Sequence, residues 1–152
     1  MKKLFAFTAL AAAIAQSGMA MAESKPVQMD KLSYIPVHDV AERSILANDS
    51  QGRPLVVILK LSKGDFLPPH GAGGGLRLLT VLSGDLAWGD GNKVDTKAER
   101  VYPAGTVLEV PAEGGEHWAA ARNGDVLLQV VFVRGGELAE GATHKKEHQH
   151  NH

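Results

Sequence analysis

The chain reads as an all-β protein on three observations. Downstream of Tyr34 it breaks into apolar segments of four to eight residues. Each segment ends in a glycine, proline or Asn/Asp turn signal, and short strands recurring between such turns mark a sandwich or barrel. Before the C-terminal tail, the part of the chain that follows the leader holds no amphipathic helical period over ten residues.

Taken in order, Pro54–Leu61 is rich in β-branched and aliphatic residues and ends at the turn Ser62-Lys-Gly-Asp65. Leu76–Leu82 is closed by Ser83-Gly-Asp85, and Leu86–Trp88 runs into Gly89-Asp-Gly-Asn92. Ala98–Tyr102 stops at Pro103-Ala-Gly105, Thr106–Val110 at Pro111, and His117–Ala121 at Arg122-Asn-Gly-Asp125. Val126–Val133 is apolar on both alternating faces except at Gln129, as in a central strand covered on each side. Arg43–Leu46 is expected to form a single helical turn and Glu23–Lys31 an extended arm. No internal repeat is present.

The N-terminus carries an export signal. Lys2 and Lys3 precede an apolar run from Leu4 to Ala15, and Ala20-Met21-Ala22 supplies the small residues that a signal peptidase reads. The run is shorter than the roughly 20 residues a membrane span needs. Cleavage after Ala22 and a periplasmic or secreted location are the expectation, with no membrane attachment afterwards. The predicted organisation is a signal peptide at 1–22, an arm and first strand at 23–50, a barrel at 51–136, and a polar His-rich tail at 137–152.

Charge and composition exclude several classes. The whole chain has a net charge of −1, and removing Lys2 and Lys3 with the leader makes it more acidic. Nothing in that balance attracts nucleic acid or an anionic membrane. The chain has no cysteine, which rules out a disulfide, a lipidated cysteine and a cysteine nucleophile. Gly71-Ala-Gly-Gly-Gly75 lacks the Gly-Lys-Ser/Thr and helix of a phosphate-cradling loop, so it reads as a rim over an opening.

Pro68-Pro69-His70, Val81-Leu-Ser-Gly84, Pro103-Ala-Gly105 and Pro111–His117 follow one another as the two cupin motifs do. From about Leu55 to Val133 the chain resembles a small single-domain cupin of the type-2 kind. The resemblance implies a jelly-roll barrel of about six to eight strands, open at one end and often a homodimer. It also implies one divalent metal (zinc, iron, manganese, nickel or copper) held by a His-x-His unit, a nearby Glu or Gln, and a histidine of the second motif. His70 and His117 match the first and last of these ligands. Gly71 and Ala72 stand where the second histidine belongs, and Arg77 lies near the place of the acidic ligand.

Two neutral imidazoles fall short of the three protein ligands of a catalytic first-row site. Glu113 or Glu116, on the same loop as His117, is the carboxylate available to complete it. Arg77, if it points inward, fits a ligand carboxylate or phosphate bidentately. As neighbours on a strand, His117 and Trp118 should face opposite ways, which sends Trp118 into packing or a dimer contact. The tail holds four of the seven histidines, His144, His148, His150 and His152, spaced for loose metal capture by imidazole. The expected function is an exported cupin-like protein that binds a small molecule through His70, Arg77 and His117. The alternatives are a metal-dependent dioxygenase or isomerase, and a metal scavenger working through its tail.

Overall fold

A computed structural model describes residues 22–71, 73, 75–139 and 142. Residues 1–21 of the signal peptide expected at 1–22 and the four tail histidines lie outside the described residues. Contacts divide the chain at Asp30 into two units. The first, as described, is a coil from Ala22 that enters a 3-10 turn at Met29–Lys31. The second contains every strand.

Ten strands are assigned: β1 (Ile35–Val37), β2 (Ala41–Asn48), β3 (Pro54–Leu61), β4 (Phe66–His70), β5 (Arg77–Ser83), β6 (Asp85–Asp90), β7 (Arg100–Pro103), β8 (Val107–Val110), β9 (His117–Ala120) and β10 (Val126–Phe132). They form two antiparallel sheets, one in the order β1-β2-β3-β10-β5-β8 and the other in the order β4-β9-β6-β7. Chain order and sheet order differ because the chain crosses repeatedly between the sheets after β3, with only β6 and β7 consecutive in one sheet, as in a jelly roll. The all-β architecture is therefore as the short apolar segments foretell.

Three elements depart from the sequence expectation. Arg43–Leu46 belongs to the extended strand β2 and forms no helical turn. Its ladder to β3, from Glu42↔Lys60 to Asn48↔Pro54, overrides the helical propensity of Ala-Glu-Arg-Ser. The segment 23–50, expected to hold an arm and a first strand, holds two strands of the six-stranded sheet, β1 and β2. Phe66–His70 is a strand although it contains two prolines. It sits at the edge of the four-stranded sheet, and its pairing with β9 shifts register between Leu67 and His70, where missing N–H donors are tolerated.

The core lies between the sheets. Leu61, Leu79, Val81, Val126 and Leu128 from the larger sheet meet Leu67, Leu86, Trp88, Ala119 and Ala121 from the smaller sheet and its flanks, all buried. At about 1.5–3 kcal/mol for each large aliphatic side chain removed from water, this cluster is the main support of a fold that has no disulfide. β10 is central, between β3 and β5, but only its inner face is deeply buried; Leu127, Gln129 and Val131 are half-exposed. Packing fills one end of the barrel and leaves a cavity at the other.

Candidate functional site

The cavity has a volume of about 220 Å³. Its walls are aliphatic: Val57 and Leu59 from β3, Leu67 from β4, Leu79 from β5, Val110 from β8 and Val130 from β10. Polar groups enter from several strands and from both sheets. His70 and His117 line it from β4 and β9, Arg77 and Arg43 from β5 and β2, and His38 and Arg134 from the ends of β1 and β10. No Asp or Glu lines it among the described residues.

His70 and His117 are direct cross-strand partners, so the ladder itself places both imidazoles on one face. Their ring centroids are 4.4 Å apart, with the planes tilted by 61°. The two loops that deliver them also meet. Gly71 has φ of 150°, and a Cβ there would stand 2.6 Å from the Gly115 carbonyl oxygen. Position 71 therefore has no room for a side chain unless the Gly115 carbonyl moves.

Each ring is held by its backbone. His70 Nδ1 donates to the Pro68 carbonyl at 2.8 Å and His117 Nδ1 to the Gly115 carbonyl at 2.7 Å. A carbonyl only accepts, so the proton of each neutral ring sits on Nδ1 and Nε2 carries the lone pair. Burial pushes His117, which is 5% exposed, down to about 4. The Gly115 hydrogen bond and the Asp90 carboxylate oppose that shift, while the charges of His70 and Arg77 add to it. His70 is lowered for the same leading reason, with His38 and Arg77 contributing. Both rings are neutral at pH 7.

The indole of Trp88 stacks on His117, with centroids 4.0 Å apart and an interplanar angle of 14°. Its Nε1 donates to Asp90 Oδ1 at 2.8 Å, and Asp90 is paired with Arg100. Trp118 faces the other way, 1% exposed, with its ring 5.9 Å from Phe66. A Cβ at Gly89 would overlap its indole. Trp118 is thus buried within its own chain, as the packing reading holds.

Arg77 lines the cavity and does not lie on the outer face. Its guanidinium is 5.5 Å from the Phe132 ring, and Arg134 lies 5.0 Å from the same ring. The Nε atoms of Arg43, Arg77 and Arg134 are buried without a hydrogen-bond partner. Arg134 is nonetheless compensated, because Nη2 donates to the Pro54 carbonyl and Nε stands 3.5 Å from Asp49 Oδ2. Among the described residues, Arg43 and Arg77 form no ion pair with a carboxylate.

Glu113 and Glu116 are exposed and neither lines the cavity. Glu116 immediately precedes the inward-facing His117, and successive residues in extended chain point to opposite sides. The carboxylate expected to complete a metal site is therefore not supplied by that loop. No group of three or more His, Cys, Asp or Glu side chains is placed to hold a metal among the described residues. His38 also lines the cavity, its ring 5.6 Å from that of His70, but it is not placed with His70 and His117 as a third ligand. Neutral imidazoles beside guanidiniums lack the negative charge that favours a tightly held catalytic metal, so the residues present do not fit the metal centre that the resemblance implies.

No family model matches the sequence, and no curated protein matches it either. The likeness appears among solved structures. The chain is similar to a protein described as a predicted oxalate decarboxylase from Thermotoga maritima, at 18% identity and a TM-score of 0.55, over 70% of this chain and 96% of that one. It is similar to the polyketide cyclase RemF from Streptomyces resistomycificus, at 15% identity and a TM-score of 0.57, over 78% and 89% of the two chains. KdgF from Halomonas sp. aligns at 17% identity and a TM-score of 0.52, over 74% and 97%. The fold is a cupin barrel. Identities this low establish the fold alone and leave the chemistry of the chain to its own residues.

Sequence reasoning found His70, Arg77 and His117, and all three line one cavity. It missed His38, Arg43, Arg134 and Phe132, which belong to no motif and arrive through sheet topology. The signal available for Arg43 was its place two residues after Ala41, on the inner face of a strand misread as a turn. For Arg134 it was a charged residue directly following the apolar run Val126–Val133.

Proposed function

We propose that this protein is an exported cupin-fold protein that binds a small molecule in the open end of its barrel. His70 and His117 would set the ligand's orientation and Arg77 would bind its polar end. The observation that carries this reading is the convergence of these three side chains on a largely aliphatic cavity of about 220 Å³. Few polar groups on apolar walls is the pattern of a small-molecule site. The volume exceeds the roughly 150 Å³ that accommodates benzene and falls below the roughly 300 Å³ of sites for drug-sized ligands. It suits a molecule about the size of one ring. The signal sequence supports a periplasmic or secreted location, and export is checked by fractionating cells that express the full chain.

The test is a thermal-shift screen of small fragments on the purified protein and on its His117→Ala variant. A ligand of the cavity raises the melting temperature in proportion to RT ln(1 + [L]/Kd), and the shift is lost in the variant. Metal analysis of the same protein, with and without residues 142–152, decides the rival readings. Stoichiometric metal that survives loss of the tail and disappears in His70→Ala would replace this reading with a metal-dependent enzyme. Metal lost with the tail would assign metal capture to His144, His148, His150 and His152.

A further inference from the structure

We infer that the ligand is a small organic anion, a compact apolar body bearing one carboxylate, received by Arg43 and Arg77. This deepens the small-molecule reading above and rests on it. Three guanidiniums enter a cavity that no carboxylate lines among the described residues. Arg134 is paired with Asp49 and donates through Nη2 to the Pro54 carbonyl. Arg43 on β2 and Arg77 on β5 have neither an ion pair nor a partner for their buried Nε atoms among the described residues. A buried donor without an acceptor costs stability, and an unpaired guanidinium costs more. An anion that supplies acceptors to both removes that cost on binding, and a carboxylate matches the guanidinium fork.

The rest of the lining suits the body of such an acid. The Phe132 ring lies 5.5 Å from the Arg77 guanidinium and 5.0 Å from that of Arg134, and Val57, Leu59, Val110 and Val130 complete an apolar wall. His70 and His117 are tied through Nδ1 to backbone carbonyls and offer Nε2 as an acceptor. The neutral rings add no charge of their own, and a hydroxyl on the ligand would donate to them. The same guanidiniums disfavour a bare cation, in accord with the poor fit of the site to a metal.

Calorimetric titration of the purified full chain, run both with and without a chelator, tests the inference with two acids and their neutral isosteres. Benzoate and 3-methylbutanoate are expected to bind, and benzamide and 3-methylbutanamide to bind on the order of tenfold to a hundredfold more weakly. Arg77→Gln and Arg43→Gln should bring acid and amide affinities together, with folding verified by circular dichroism. If either variant fails to fold, the acid–amide comparison on the unaltered protein still decides. Equal affinity for acids and amides would overturn the anion assignment while leaving a small-molecule site in place. Acid binding that the chelator abolishes would transfer the carboxylate to a metal and overturn the role of the arginines. Failure of all four probes would remove both the inference and the reading beneath it.

Discussion

His117 illustrates how a single side chain acquires its character from burial. Its ring is enclosed by Trp88 and His70 and anchored by the Gly115 carbonyl, and burial holds it neutral. In the unfolded chain the same imidazole titrates near 6.5, whereas in the fold it titrates at about 4. Above pH 6.5 both states are neutral and the difference contributes nothing to pH dependence. As pH falls from there, the unfolded chain takes up the proton first, so stability declines until about pH 4, by up to about 3 kcal/mol. His70, shifted the same way, steepens the loss. Urea titrations of metal-free protein between pH 7 and 4 should show the midpoint dropping. An NMR titration should find His117 still neutral at pH 5; a resonance that titrates at 6.5 would refute the enclosure. Gly71, by contrast, acts through having no side chain, since its contact with Gly115 is what lets the two histidine loops close together.

At the scale of elements, the β1–β2 turn carries the clearest internal conflict. His38 and Asp39 have φ of 52° and 55°, and Val40 N–H donates to the Val37 carbonyl at 3.2 Å. Two consecutive left-handed residues closed by such a bond make a type I′ hairpin turn, a place where Asn-Gly is favoured. Left-handed backbone costs a residue with a Cβ roughly 1–2 kcal/mol, and here it delivers His38 to the cavity rim, 5.6 Å from His70. Asp39→Gly is expected to raise stability by about 0.5 kcal/mol after the entropy of glycine is subtracted. Thermal denaturation that shows no gain or a loss would mean that the Asp39 side chain supports the turn.

The same strands show what sequence pattern can and cannot convey. Segments with β-branched runs and terminal turns, such as Pro54–Leu61 and Val126–Val133, declare themselves through local chemistry. β2 does not, because Ala41-Glu-Arg-Ser is as good a helix former as a strand former, and only its long ladder to β3 decides. β4 is hidden by two prolines that an edge position permits. In the site, motif spacing revealed His70, Arg77 and His117. Arg43, Arg134 and His38 remained illegible, since no linear distance tells which ends of β2, β10 and β1 converge once strands alternate between sheets.

For the molecule as a whole, the packed core and the open cavity occupy opposite ends of one barrel. The packed end depends on side chains such as Leu128, 1% exposed at the centre of the larger sheet. Leu128→Ala should cost about 2–5 kcal/mol, read as a lowered urea midpoint with one cooperative transition. A cost below about 1 kcal/mol would show that the two sheets do not share a continuous core. The open end tolerates unpaired donors and strained turns because that packing holds its walls in place.

Arg77 carries one more consequence. It stands close enough to His70 and His117 to influence the protonation of both, near the spot where the cupin pattern puts an acidic ligand. Arg77 is therefore the position at which a single substitution is expected to change the ion preference proposed for the barrel. Arg77→Glu would reverse the polarity at that point by two units and supply a third donor beside the imidazole pair. Such a variant should retain nickel or zinc through dialysis more strongly than its parent, the identical tail in both cancelling out. Equal retention would show that the cavity's selectivity is distributed over the whole wall.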